Sequence, residues 1–486
     1  MHGMHGIDMG AQVKRIVLGI AGAGLLAYGA TVAYLTHYDR AGAPTLPAES
    51  PTRHNPVALA AFNALDEARC DYCHTQGAAL PFYASLPGAH QLMQHDLREG
   101  LRHFRMEPVI EAFRKGDAPS EEQLSRIEEV IQQNRMPPAQ YLLMHWHAHL
   151  SGDQRNAILD WVKAERRAHY QTAGVAPAFA AEPVQPIPES LPVDKDKVVL
   201  GEKLFFDKRL SGDGTLNCAS CHGLDKGGVD NLVTATGIKG QKGPINAPTV
   251  YNSAYNIVQF WNGRAKTLAD QAAGPVMNPL EMGSHDWSEV AGKLSSDPYY
   301  TDAFARLYPD QPIGKDTITD AIAEYEKTLI TPDSRFDLYL KGDASALNAQ
   351  EKHGYELFKS VGCSGCHNGP AMGGGAMEVM GLEGDYFHER GGALTDADSG
   401  RIAVTQDELD RQRFLVPTLR NVALTGPWFH DGSAKTLEQA VREMARYQTP
   451  RRDLSDGDIE DITAFLKTLT GRYNGKPLDA TSGAAQ

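Results

Sequence analysis

Six cysteines occur in this chain of 486 residues, and all six fall in copies of one pattern, Cys-x-x-Cys-His. The copies are Cys70-Asp71-Tyr72-Cys73-His74, Cys218-Ala219-Ser220-Cys221-His222 and Cys363-Ser364-Gly365-Cys366-His367. The spacing lets two thiols reach the two vinyl groups of one porphyrin while the next residue presents an imidazole to its iron. Disulfides, zinc sites and thioredoxin-like pairs also use paired cysteines, but none requires a histidine directly after the second cysteine in every copy. The pattern therefore predicts three haem c groups, each with His74, His222 or His367 as an iron ligand. Attachment of haem c takes place outside the bacterial cytoplasm.

A second feature agrees with that compartment. Ile16 to Leu35 is an uncharged run, long enough to cross about 30 Å of hydrocarbon at about 1.5 Å per residue. Lys14 and Arg15 precede it, whereas Asp39 and Arg40 cancel after it, which orients the N-terminus to the cytoplasm and the rest outside. A cleavable signal peptide is the alternative, with Ala41-Gly42-Ala43 as its cleavage site. Signal cores usually span about 7 to 15 residues, and Pro44 hinders cleavage, so the expectation is a single-pass anchor in a bacterial inner membrane with the haem domains in the periplasm. A formal net charge of -14 excludes nucleic acid as a partner, since phosphate binding needs a basic face.

The fold class expected is mainly α, with three cytochrome c-like haem domains in tandem behind one N-terminal transmembrane helix. An apolar helix precedes each motif, at Val57 to Leu65, Val198 to Phe206 and His353 to Phe358, and an amphipathic one follows well after it, at Asp153 to His169, Asp316 to Leu329 and Asp456 to Leu469. Ile459, Ile462, Leu466 and Leu469 give the last of these one buried face, and Ser151 and Ser455 stand as caps. The boundaries expected are 1–15 cytoplasmic, 16–36 anchor, 37–54 linker, 55–172 first haem domain, 173–190 Pro-rich linker, 191–335 second haem domain, 336–472 third haem domain and 473–486 tail.

From about Val199 to Leu469 the chain resembles the bacterial dihaem cytochrome c peroxidase family. The resemblance rests on Leu204-Phe205-Phe206-Asp207, Gly243-Pro244-Ile245-Asn246-Ala247-Pro248-Thr249-Val250, Phe260-Trp261-Asn262-Gly263-Arg264, Gln271-Ala272-Ala273-Gly274-Pro275 and Leu419-Arg420-Asn421-Val422-Ala423-Leu424-Thr425. With the anchor and the extra haem motif, the chain looks like the trihaem membrane branch, whose members take electrons from quinol. The resemblance implies reduction of hydrogen peroxide, with His222 at the peroxidatic haem and Gln271 and Glu281 over its iron. A carboxylate suits that place because peroxide must lose a proton to bind and the departing oxygen must gain one, while Gln271 can donate a hydrogen bond as charge develops. In the dihaem enzymes a histidine just before the Gly-Pro-Ile-Asn stretch caps the resting iron. Here Ile238 stands at that position and no histidine lies between Gly223 and Trp261, so the peroxidatic iron is expected to be open at rest, with Lys239 as a remote substitute ligand.

The same resemblance assigns the His367 haem to electron transfer with Met444 as sixth ligand, a thioether that raises the potential. It places Trp261 between the two haems, and Asn246, Thr425 and Pro427 around a calcium ion, for which oxygen donors are suited. The His74 haem lies outside the match. Met136 is its expected sixth ligand, following a helix whose Ser120 and Gln123 form a capping box and preceding Pro137-Pro138; Met93, Met106 and Met144 are alternatives, and His145, His147 and His149 are read as surface or wall. The donor is expected to be membrane quinol, with a soluble cytochrome as the alternative. Two other readings are an enzyme oxidising side chains of a partner protein, which uses Tyr in place of Met444 and keeps Tyr447 in view, and an electron-transfer cytochrome without peroxidase activity. A homodimer is a further expectation from the family.

Overall fold

The computed structural model describes residues 9–479. Residues 1–8 of the expected cytoplasmic segment and 480–486 of the expected tail lie outside the described residues. Helices carry the fold; the strands among the described residues form two small antiparallel pairs, Met377–Val379 with Arg413–Leu415 and Arg472–Tyr473 with Lys476–Pro477. The chain divides into two compact units, one holding the residues up to Pro119 together with Val130–Val162, the other Ser120–Glu129 and the residues from Lys163 onward.

The first unit begins with the helix Met9–Ala41, whose Val13–Ala41 stretch is long and apolar enough to cross a membrane and is almost wholly unburied. The helix runs on past the apolar run because its last turns are held by the globular part of the unit, where Leu35 and Asp39 are fully buried. The next long helix, Pro56–Glu67, starts where Asn55 Oδ1 accepts from the N–H of Val57 (3.1 Å) and Ala58 (3.2 Å), with Pro56 preset for the first turn. Its Phe62 meets Phe113 edge-on, and Phe113 stacks on Trp161 of the helix Gly152–Glu165. These aromatic rings form the core beside the first Cys-x-x-Cys-His motif.

The second unit is organised by two crossed helix pairs. Lys195–Phe205 packs on Lys315–Glu326, and Ala349–Val361 on Asp456–Lys467. Both crossings occur at a glycine: a Cβ on Gly201 would stand 1.9 Å from the carbonyl oxygen of Ala321, and one on Gly354 1.9 Å from that of Asp461. Asp194, Asn348 and Ser455 cap three of the four helices through their side-chain oxygens. Leu200, Leu204, Phe304, Ile318 and Ile322 fill one core, and Phe336, Tyr355, Phe358, Ile462 and Phe465 the other.

The Pro-rich stretch 173–190, expected to tether two domains, is packed into this unit. Val175, Ala180 and Val184 belong to its second core, and Val184 bridges to Gly369. The cause lies in Arg420, fully buried, which donates to the carbonyl oxygens of Gln185 (2.9 Å) and Pro370 (2.7 Å) and pairs with Asp337 at 2.9 Å. A buried guanidinium needs every such partner.

The two halves of this unit also repeat one another. Asn252 and Asn421 both adopt left-handed backbone and both donate to the hydroxyl of Thr331, at 2.9 and 3.0 Å. Phe260 and Phe429 share a positive φ, and Thr267 and Thr436 cap the helices that follow, Leu268–Met277 and Leu437–Gln448. Each such pair stands at one constant spacing in the chain. Because the Gly354 crossing leaves no room for a methyl group, Gly354→Ala should lower stability by about 1–3 kcal/mol, measured by denaturant unfolding of the haem-loaded protein, whereas Gly457→Ala, where the nearest foreign atom is 3.8 Å away, should change it far less.

Candidate haem and peroxide site

All three motifs close the same turn. The histidine N–H donates to the carbonyl of the first cysteine, at 3.2 Å for His74 to Cys70, 3.0 Å for His222 to Cys218 and 2.9 Å for His367 to Cys363. Each imidazole is then pinned by its Nδ1, which meets the carbonyls of Gly100 (3.1 Å) and Phe104 (3.0 Å) in the first motif, Gly228 (3.4 Å) in the second and Met372 (3.1 Å) in the third. A carbonyl only accepts, so Nδ1 carries the proton and Nε2 keeps its lone pair. Among the described residues nothing hydrogen-bonds to any of these three Nε2 atoms. Burial holds the three imidazoles below their ordinary pKa, His367 at about 4. The six thiols are unpaired, and burial pushes them up, Cys73 and Cys221 to about 11. Paired neutral thiols beside an imidazole with a free Nε2, set among apolar groups, are the donor set that haem c requires.

Glu281 and Gln271 sit on one continuous piece of chain. Gln271 sits in the helix Leu268–Met277, half-buried, and none of the described residues engages its side-chain amide. Pro275 lies inside the last turn, and the chain reverses at once: Asn278 N–H donates to Gly274 O (3.0 Å), Glu281 N–H to Asn278 O (3.0 Å) and Met282 N–H to Pro275 O (3.1 Å). The Asn278 amide donates to Glu281 Oε1 at 2.6 Å. Burial raises the Glu281 carboxyl above its ordinary value, opposed by Arg264 and by the Asn278 bond. Burial raises the Cys221 thiol, and the charges of Asp230 and Glu281 add to that rise.

The internal repeat explains why the two halves carry different groups here. Pro275 occupies the place in its helix that Met444 occupies in Leu437–Gln448, so one half ends in a turn presenting a carboxylate and the other continues as a helix presenting a thioether. Met444 packs with Trp261 and Phe429 against Met380, Tyr386, Phe387, Phe414 and Tyr447. Tyr447 is turned to other use: its hydroxyl donates to Glu389 Oε2 at 2.9 Å.

Ile238 is buried, its N–H donates to Glu281 O at 2.8 Å, and its side chain fills the space beside Gly283. Lys239 is exposed. Arg264 and Asn278 are the functional residues that motif reading passed over. Arg264 lies over the Phe260 ring at 3.4 Å and interacts with Glu281; the Phe260-Trp261-Asn262-Gly263-Arg264 run was the signal that could have found it.

Asn246 donates through its amide to Leu232 O (2.8 Å), and its carbonyl accepts from Trp261 Nε1 (2.9 Å). Among the described residues no hydrogen bond reaches Asn246 Oδ1 or the carbonyls of Thr425 and Pro427, and the amide of Asn246 also donates to Val233 O at 3.4 Å. In the first unit Met136 is half-buried beyond the helix Glu121–Gln132, while Met106 is buried and donates its N–H to His74 O at 2.8 Å. Of the two readings for His145, surface or wall, the structure excludes the surface: it is buried, its Nδ1 meets Asp39 Oδ2 at 2.6 Å and its ring stacks on Tyr141.

Comparison with known proteins matches three stretches to families: residues 195–345 to di-haem cytochrome c peroxidase, 27–164 to a haem-binding domain and 351–470 to cytochrome c. The chain is 46% identical over 465 residues to the cytochrome c peroxidase Ccp of Escherichia coli K12, covering 95% of this chain and 98% of that one. It is 50% identical over 305 residues to the cytochrome c551 peroxidase of Nitrosomonas europaea, covering 63% and 88%. Among solved structures, a MauG-like protein associated with microbial copper homeostasis matches with a TM-score of 0.53 at 31% identity, over 60% of this chain and 93% of that one.

The pairing of Arg264 with Glu281 is open to direct test. Arg264→Leu removes the cation that opposes burial, so the Glu281 carboxyl should titrate at higher pH than in the unaltered protein. Infrared difference spectra across pH, with Glu281→Gln to assign the band, should show the carboxylic acid signal persisting to higher pH.

Proposed function

The chain belongs to the di-haem cytochrome c peroxidase family, and on that premise we propose that it is a trihaem, membrane-anchored quinol peroxidase. It is a haem peroxidase and hydrogen peroxide is its substrate; the count of haems, the donor, the anchor and the residue roles are this reading. Haem c, when bound, supplies an iron that carries electrons singly and at which peroxide is reduced. The three motifs support one such group in each of the domains proposed over 55–172, 191–335 and 336–472.

The observation that carries the reading is the half-buried carboxyl of Glu281, held by Asn278 and near enough for its charge to act on Cys221. Two electrons and two protons convert one peroxide to two waters. Glu281 takes the proton that peroxide loses on binding and returns it to the departing oxygen. Burial raises its pKa toward a value at which it can both take and return a proton, and Arg264 opposes that rise. Gln271, whose amide is free, donates to the oxygen that gains charge. Ile238 supports a site open at rest, because the residue packed over Glu281 has no atom that could bind iron.

Electrons are proposed to enter at the His74 haem, with Met136 as its sixth ligand, and to pass by the His367 haem, with Met444, to His222. Trp261, tied to Asn246 and packed with Met444, supports a path between the last two. Calcium at Asn246, Thr425 and Pro427 would hold this neighbourhood together. The apolar helix supports placement in an inner membrane with the haem domains in the periplasm. A soluble cytochrome donor is the second reading, favoured by the cytochrome c551 in the name of the Nitrosomonas relative. The Tyr447–Glu389 bond weighs against the side-chain-oxidising reading.

An electron paramagnetic resonance spectrum of the oxidised protein should show one high-spin ferric haem, and Ile238→His should convert it to low spin and slow the first peroxide turnover. Glu281→Gln should lower peroxide turnover by about 10²–10⁴-fold with haem content unchanged. Three low-spin signals in the unaltered protein would remove the open-site reading. Peroxide turnover with menadiol against a reduced soluble cytochrome decides the donor.

A further inference from the structure

The outer end of the Met9–Ala41 helix carries a buried polar cluster that the peroxide chemistry does not use. Asp39 is fully buried and central to it. Its carboxylate accepts from the hydroxyl of Tyr72 (2.7 Å) and meets His145 Nδ1 (2.6 Å), while its backbone carbonyl accepts from Arg69 (2.7 Å). His147 Nε2 lies 3.3 Å from Asp39 Oδ2, outside hydrogen-bond geometry. His147 Nδ1 is occupied by the hydroxyl of Thr36 at 3.3 Å. The imidazole is 94% buried by its 6% side-chain exposure, and Nε2 has no hydrogen-bond partner. A buried ring nitrogen in that condition is rare enough to need a cause.

The cause lies in front of it. Asp39, Arg40, Ala43, Asp66, Glu67, Arg69 and His147 line a pocket of about 180 Å³, open on one side. Asp66 Oδ1 is a second buried atom there without a partner, and burial, reinforced by Asp71, pushes its carboxyl up to about 6. Asp66 also lines an adjoining apolar pocket formed by Phe62, Leu65, Met106 and Phe113. A polar pocket meeting an apolar one, with two buried acceptor atoms between that make no hydrogen bond, His147 Nε2 beside the Asp39 carboxylate and Asp66 Oδ1, fits a small ring that carries hydroxyls.

Two further facts choose the ring. The pocket opens where the membrane-crossing helix ends, and the chain around it presents exposed apolar side chains, Phe82, Leu143 and Trp146, that contact that helix: Phe82 meets Tyr34 edge-on, and Trp146 Nε1 and the carbonyl of Leu143 both bond the Tyr28 hydroxyl. Exposed aromatic and apolar groups around a spanning helix suit the membrane–water boundary. The floor of the pocket is Arg69, directly before Cys70, and Tyr72, bonded to Asp39, stands between Cys70 and Cys73.

We propose that this pocket binds the head of a membrane hydroquinone, with His147 Nε2 and Asp66 Oδ1 accepting its two hydroxyl protons. This rests on the quinol reading of the donor. On oxidation both O–H bonds break, the protons pass to His147 and Asp66, and the two electrons leave singly for the haem c attached at Cys70 and Cys73, the ring departing as quinone. Asp39 is a positioning residue: it holds His145 and stabilises a charge gained by His147. The titratable and charged groups facing the pair are Asp39 and His145, which bond each other, Arg40 and Glu67, which pair at 3.6 Å, and Arg69, which is committed to Asp71.

The test uses the full-length haem-loaded protein in nanodiscs. It measures binding of 2-heptyl-4-hydroxyquinoline N-oxide by fluorescence quenching and single-turnover haem reduction by menadiol, for the unaltered protein, His147→Phe and Asp66→Asn. The expected result is a loss of about tenfold or more in both readouts for each variant, with haem content and spectrum unchanged. If His147→Phe fails to load haem, His147→Gln carries the same expectation. Unaltered protein that binds the inhibitor and is reduced by menadiol, with both variants within twofold of it, overturns the pocket and leaves the donor reading standing. Unaltered protein that neither binds the inhibitor nor accepts electrons from menadiol, yet is reduced by a soluble cytochrome, overturns the donor reading and the pocket with it.

Discussion

The hydrogen bond from each motif histidine's Nδ1 to a main-chain carbonyl determines how the rest of the protein is arranged. It fixes the proton on one ring nitrogen and aims the other, and it requires the chain to return a carbonyl to within about 3 Å of a ring that the Cys-x-x-Cys turn has already placed. In the first unit that carbonyl comes from the end of a helix, at Gly100 and Phe104, whereas in the second it comes from loops a few residues past the motif, at Gly228 and Met372. The helices then pack to hold those returning segments, and the glycine crossings at 201 and 354 bring the second unit's helix pairs close enough to do so.

Within the second unit one framework serves two purposes. The left-handed asparagines, the positive-φ phenylalanines and the threonine caps are matched pair by pair, so the scaffold is equivalent in both halves. The difference is made by a single helix. Where Met444 continues it, the half offers sulfur; where Pro275 ends it, the chain reverses and offers Glu281. A proline removes a backbone donor and so makes the helix end, which here exchanges a thioether for a carboxylate.

Much of this was legible in the sequence. Motif spacing located the three turns that pin a histidine ring, and helical periodicity located the helices flanking them, because both signals are local. Ile238 was also readable, since a missing nitrogen is visible in one letter. What escaped were relations between distant residues. Arg264 and Asn278 matter only through where Glu281 lies, and Arg420 turns a Pro-rich stretch into packed structure by reaching its carbonyls across the fold. His145 and His147 alternate along the chain as surface residues do, yet Asp39, more than a hundred residues earlier, draws them inward. The internal repeat was present in the letters too, hidden by divergence at the positions, such as Trp261 and His430, where the two halves differ in use.

The burial of Asp39 also bears on what losing the leading helix would do to the first unit. A peptidase cutting after Ala43 would remove the carboxylate that bonds the Tyr72 hydroxyl and His145 Nδ1, along with the carbonyl that accepts from Arg69. The released fragment would begin with three polar groups stranded in an interior shaped around a missing partner, next to its first pair of haem-attaching thiols. The leading helix is thus a strut of the first haem fold, and a secreted form of the protein would have to rebuild that interior before it could keep its first haem pocket closed.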